Sequence, residues 1–95
     1  MIDINNFGHI ITIQGNIRNI ADYILIKNKI DDVLSLYDEV QIKTDSNTIS
    51  SSVIGYFVSL QNKYNKKVTL IVSNDNLYSL LDDLNLTKVF NVKRN

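Results

Sequence analysis

Val68-Thr69-Leu70-Ile71-Val72, preceded by Asn65-Lys66-Lys67 and followed by Ser73-Asn74-Asp75, decides how the rest of the chain is read. Five consecutive apolar or β-branched residues between turn formers make a buried strand, because the run is too short for a buried helix and its side chains suit a pleated surface. Unbroken apolarity implies cover on both faces, so this strand is expected at the centre of a sheet. Ser73-Asn74-Asp75 then offers N-caps to a helix running through Leu77, Leu80, Leu81 and Leu84. Lys88-Val89-Phe90-Asn91-Val92 suggests a short closing strand.

Working back from that strand, residues 50–64 read as a helix with Val53, Ile54, Phe57, Val58, Leu60 and Tyr64 on its buried side. The polar loop Asp45-Ser46-Asn47-Thr48 separates it from Val40-Gln41-Ile42-Lys43-Thr44, which alternates like a strand. Ile20, Tyr23, Ile24, Ile30, Val33, Leu34 and Tyr37 recur at intervals of three and four, which predicts an amphipathic helix capped by Asn19. Ile2-Asp3-Ile4 and the stretch 9–14 read as a β-hairpin or two neighbouring strands around the turn-like Asn5-Asn6-Phe7-Gly8. The predicted order is β-β-α-β-α-β-α-β. This is an α/β domain with a mostly parallel mixed sheet of about five strands and three helices, and right-handed crossovers favour placing the helices on one main face. Residues 1–95 form a single domain, with no linker, repeat or low-complexity segment.

Composition narrows the function. Ten basic and ten acidic residues cancel, which removes the broad basic field of a nucleic-acid binder. The chain has no Cys, hence no disulfide framework and no thiolate nucleophile or ligand. No apolar run approaches the ~20 residues needed to span a bilayer, and the start Met1-Ile2-Asp3-Ile4 lacks a leader's basic-then-apolar pattern. The expectation is a cytoplasmic protein that neither binds nucleic acid nor inserts into a membrane.

No catalytic constellation is visible. His9 is the single histidine, placed in a strand beside Gly8 with no second ligand at metal-site spacing. Asp31-Asp32 and Asp82-Asp83 are adjacent, so each pair diverges on a helix and reads as solubilising charge rather than a paired acid and base. Gly-rich phosphate loops and nucleophile elbows are absent. The reading is therefore of a protein without catalytic residues, metal or cofactor.

The remaining feature is Ile49-Ser50-Ser51-Ser52-Val53-Ile54-Gly55, three hydroxyls at a helix start, where unpaired N–H groups and the positive end of the macrodipole favour anions. One of Ser50 and Ser51 is expected to cap. Tyr56 lies one turn later, off the apolar stripe, and reads as an exposed contact. Arg18 and Asp45 read as solvated loop charges.

With its element order, this stretch resembles a STAS domain, the fold named for sulfate transporters and anti-sigma factor antagonists. That family begins its second helix with an apolar-Asp-Ser-Ser-Gly-Leu-Gly motif and closes with a Leu-rich helix ending in a Gly-Leu-like turn, here Leu80-Leu81-Asp82-Asp83-Leu84-Asn85-Leu86-Thr87-Lys88-Val89-Phe90. The resemblance implies a STAS-like regulator of transcription that docks a kinase-type anti-sigma factor or related switch partner. Ser51 falls on the family's phosphorylated serine, and Ser50, Ser51, Ser52, Val53, Gly55, Tyr56 and Arg18 would form the partner-binding surface. Ser50 stands where the family has Asp, Val53 where it has Gly, and Arg18 where its Gly-x-Leu-Asp motif, here Gly15-Asn16-Ile17-Arg18, has Asp. An alternative from the same resemblance is an accessory subunit of a membrane transport complex, with no phospho-switch. A homodimer burying Val53 and Tyr56 is a third arrangement.

Overall fold

The computed structural model describes residues 2–95. Two antiparallel strands, β1 (Asp3–Phe7) and β2 (Ile10–Gln14), open the chain. Phe7 faces Ile10 across a two-residue turn of Gly8 and His9, where Gly8 takes φ +60°. That left-handed φ at the first turn position is the II′ geometry that matches the twist of a hairpin, and glycine adopts it without strain. The strand thus runs through Asn5, Asn6 and Phe7, which read as a turn in sequence, and His9 sits in the turn rather than in a strand.

Three strand-to-strand crossovers follow. Helix α1 (Ile20–Leu34) leads to β3 (Glu39–Thr44), α2 (Ser51–Asn62) to β4 (Lys67–Val72), and α3 (Asp75–Asp83) to β5 (Asn91–Arg94) through a single 3-10 turn at Leu86–Lys88. The sheet order is β1-β2-β3-β4-β5, with β2 to β5 mutually parallel. The α/β class, the mixed five-stranded sheet, the three helices and the order β-β-α-β-α-β-α-β are as expected. The centre is occupied by β3, however, and not by Val68 to Val72 of β4. The closing strand also begins three residues later than predicted, because Leu86, Thr87 and Lys88 wind into the extra turn.

Burial alternates along the inner strands. Ile11, Ile13, Val40, Ile42, Val68, Leu70 and Val72 are buried, while Thr12, Gln41, Thr69 and Ile71 between them are half-buried and Lys43 is exposed. One face is therefore covered by all three helices, as same-handed crossovers stepping in one direction require. The other face is open, so β4 is not covered on both sides. Against the closed face α1 sets Ile26, Ile30 and Val33, α2 sets Val53, Phe57 and Leu60, and α3 sets Leu77 and Leu81. The stripe of α1 is rotated from the predicted one: Ile20 and Ile24 are 68% and 49% exposed. Phe57 meets Phe90 edge-on at 6.0 Å, joining α2 to the end of the sheet.

Candidate functional site

Because β2, β3 and β4 are parallel and each feeds a helix, the starts of α1, α2 and α3 gather at the edge where these strands end. Each start is capped by a short polar side chain: Asn19 accepts from the Asp22 amide, Ser50 from the Val53 amide, and Asn74 from those of Asn76 and Leu77. Helix dipoles thus aim their positive ends toward one edge, the end of an open α/β sheet where ligands and partners characteristically bind.

The loops at this edge are laced together. Asp45 accepts the Gly15 amide at 2.9 Å, the Ser46 hydroxyl accepts the Ile17 amide at 3.0 Å, and Asn16 accepts the Asn47 amide at 3.0 Å. Ser46 is wholly buried, and its hydroxyl also accepts the Thr48 amide and donates to the Thr48 carbonyl. Asp45, read as a solvated charge, is therefore a loop tie. Ser46 escaped the sequence reading altogether, since a serine inside a polar loop has no signature distinguishing a hub from a solvated residue.

Asp22 completes the frame. It is 2% exposed and accepts the Arg18 amide at 2.9 Å and, more weakly, the Asn19 amide, closing a capping box. The Arg18 amide, opposed by burial and joined by the Asn19 and Ile2 amides, holds the Asp22 carboxyl below its usual value. An acid at the third position of a helix that begins Asn19-Ile20-Ala21-Asp22 is the signal that could have found it.

On this frame the predicted site residues separate. Ser50 is the cap of α2, and Ser51 and Ser52, its first two residues, are exposed. Gly55 is exposed on the next turn, and a Cβ built there would meet nothing within 4 Å. Arg18 is exposed on the adjoining loop, held there by its own amide on Asp22. Val53 does not belong with them: it is 0% exposed, locked under α2 by the same periodicity that buries Phe57 and Leu60, and it can touch neither a partner nor a second copy. Tyr56 is not a free contact either. It is half-buried, edge-on to Tyr23 at 6.3 Å, and its hydroxyl donates to Asp31 at 2.6 Å.

Asp31 is accordingly more than a solubilising charge. It also pairs with Lys27 at 2.8 Å, and although burial opposes the effect, the Lys27 ammonium and the Tyr56 hydroxyl hold its carboxyl below the usual value. Burial, then the hydrogen bond to Asp31, pushes the Tyr56 phenol well above the usual tyrosine range. His9 lies 3.5 Å from Glu39 and packs on Tyr37 at the opposite edge of the sheet. No helix among the described residues is long and apolar enough to cross a membrane.

Comparison with protein-family models, with curated proteins and with solved structures returned no match. The class that the fold itself defines is a small α/β domain with a one-sided sheet and a serine-rich helix start at the edge where its parallel strands end.

Proposed function

We propose that this chain is a regulatory protein-binding module of the STAS type, similar to anti-sigma factor antagonists, which docks a kinase-type anti-sigma factor or related cytoplasmic switch partner. The docking surface is the exposed start of α2, Ser51, Ser52 and Gly55, flanked by the Arg18 loop. The observation carrying this reading is a division of labour between adjacent serines. Ser50 caps the helix, which leaves the neighbouring Ser51 hydroxyl outside the cap and in solvent. A phosphoryl group on Ser51 would add ~1.5 to 2 negative charges beside free N–H groups able to receive it. Its consequence would be felt by the partner, through charge and bulk on the docking face, rather than by the fold.

A second reading, an accessory subunit of a transport complex, draws on the absence of acidic residues from the first turn of α2. Permanent packing on another subunit needs no switch. Capture from native cell extract with wild type and Ser52→Arg, followed by mass spectrometry, tests the docking surface. A partner held by wild type and lost by Ser52→Arg is expected. Equal retention by both would remove this surface from the reading. A transporter ATPase in stoichiometric amount would favour the second reading, and a kinase released by ATP the first.

A further inference from the structure

A groove of about 840 Å³ runs between α1 and α2, on the flank of α2 that faces away from the sheet. Tyr23, Lys27 and Asp31 form its α1 wall, Tyr56 and Ser59 its α2 wall, and Leu34 and Leu60 supply apolar surface. Its volume falls in the range of small-molecule clefts, about 300–1,000 Å³.

Two features set this groove apart from ordinary space between helices. Gly55 lines it in the middle of α2, where neither a positive φ nor a close neighbour asks for glycine: a Cβ would meet nothing within 4 Å. The missing side chain opens the groove and satisfies no contact within the chain. The second feature is charge. Lys27, Lys63 and Lys66 line the groove against one carboxylate, Asp31, on a protein whose formal net charge is zero. Lys27 is engaged by Asp31 and lies over the Tyr56 ring, and Lys66 by the fully exposed Asp38. Lys63 has no carboxylate partner among the described residues and lies over the Tyr64 ring, 5.6 Å from its centroid.

We propose that the α1–α2 groove binds a small organic anion with an apolar body, the body seated over Gly55 against the Tyr56 and Tyr64 rings and the acid group held by Lys63 and Lys66. A carboxylate or sulfonate replaces the weak exposed pair that Lys66 makes with Asp38 and gives Lys63 a counter-charge. The apolar body covers tyrosine ring surface that the helices leave facing outward, Tyr64 being 58% exposed. The groove shares Ser52 and Gly55 with the proposed docking surface, but its binding is read on the isolated protein, so failure here is distinguishable from failure of partner docking.

The test is fluorescence titration of the purified chain with 8-anilinonaphthalene-1-sulfonate, with dodecanoate and inorganic phosphate as competitors. Saturable 1:1 binding is expected, displaced by dodecanoate but not by phosphate at equal concentration. Gly55→Leu, which fills the groove from a helical position with open space around it, should weaken binding by about tenfold or more, and Lys63→Glu by a similar factor. Amide correlation spectra establish that both variants keep the native fold. Absence of saturable binding, displacement by phosphate as effective as by dodecanoate, or unchanged affinity in folded Gly55→Leu would each overturn the proposal.

Discussion

The Ser46 hydroxyl accepts the backbone amide of Ile17, 29 residues earlier in the chain, at 3.0 Å in a fully buried position. This one bond clamps the loop before α1 to the loop before α2, and with the Gly15–Asp45 and Asn16–Asn47 bonds it fixes where the serine-rich helix start stands relative to Arg18.

Ser46→Ala leaves a buried amide without its acceptor. Such a loss costs about 1–3 kcal/mol, because the orphaned donor keeps its desolvation penalty. Urea denaturation should show that destabilisation, whereas Asp45→Ala, whose bond to Gly15 is exposed, should cost less than about 1 kcal/mol. Equal effects would mean that the loops are not clamped at Ser46.

Asp22 makes stability depend on acid. Its folded carboxyl is held below the unfolded value, so its contribution is fully present above the unfolded pKa of about 3.9 and is lost as pH falls through the folded one. Thermal melts should therefore show a fall in stability below about pH 4 that is smaller in Asp22→Asn. At neutral pH, Asp22→Ala should cost about 1–3 kcal/mol through the lost amide bonds. An unaltered acid profile in Asp22→Asn would assign the effect to other carboxylates.

Tyr56 makes the opposite prediction at alkaline pH. Its phenol is raised in the folded state by burial and by Asp31, so its contribution is present below the unfolded pKa of about 10 and is lost as pH rises above it. The melting temperature of wild type should decline above about pH 10 more steeply than that of Tyr56→Phe. At pH 7 that variant loses one hydrogen bond, about 0.5–1.5 kcal/mol. Parallel declines would show that the Asp31 bond does not hold the phenol protonated.

Gly55→Ala should stabilise the protein by about 0.5–1 kcal/mol, since glycine is the costlier residue inside a helix and the added methyl meets no neighbour. A higher denaturation midpoint checks this. A lower one would reveal a constraint at Gly55 that its surroundings do not show.

These residues also mark what the sequence could and could not disclose. Caps and periodicity disclose the three helices and the element order, since Asn19, Ser50 and Asn74 stand immediately before apolar repeats, but they cut β1 short at Asn5 and start β5 too early. Strand order is less legible. Gln41 and Lys43 on the open face make β3 look peripheral, and Ile71 on the same face makes β4 look enclosed, so sequence alone puts the wrong one of the pair at the centre. The site divides in the same way. Periodicity alone puts Val53 on the buried side of α2, and only the resemblance places it on the partner surface, whereas the Tyr56–Asp31 bond joins residues 25 apart through helix packing that no local pattern encodes.

Partner docking is proposed to turn on the exposed Ser51. The most direct measurement is quantitative capture from native extract by wild type, Ser51→Ala and Ser51→Asp, with the bound partner and the modification state of Ser51 read by mass spectrometry. Wild type and Ser51→Ala should retain the same partner, while Ser51→Asp should retain at least about tenfold less, a difference of about 1.4 kcal/mol or more. Equal retention by all three, with Ser51 unmodified in the recovered protein, would contradict it.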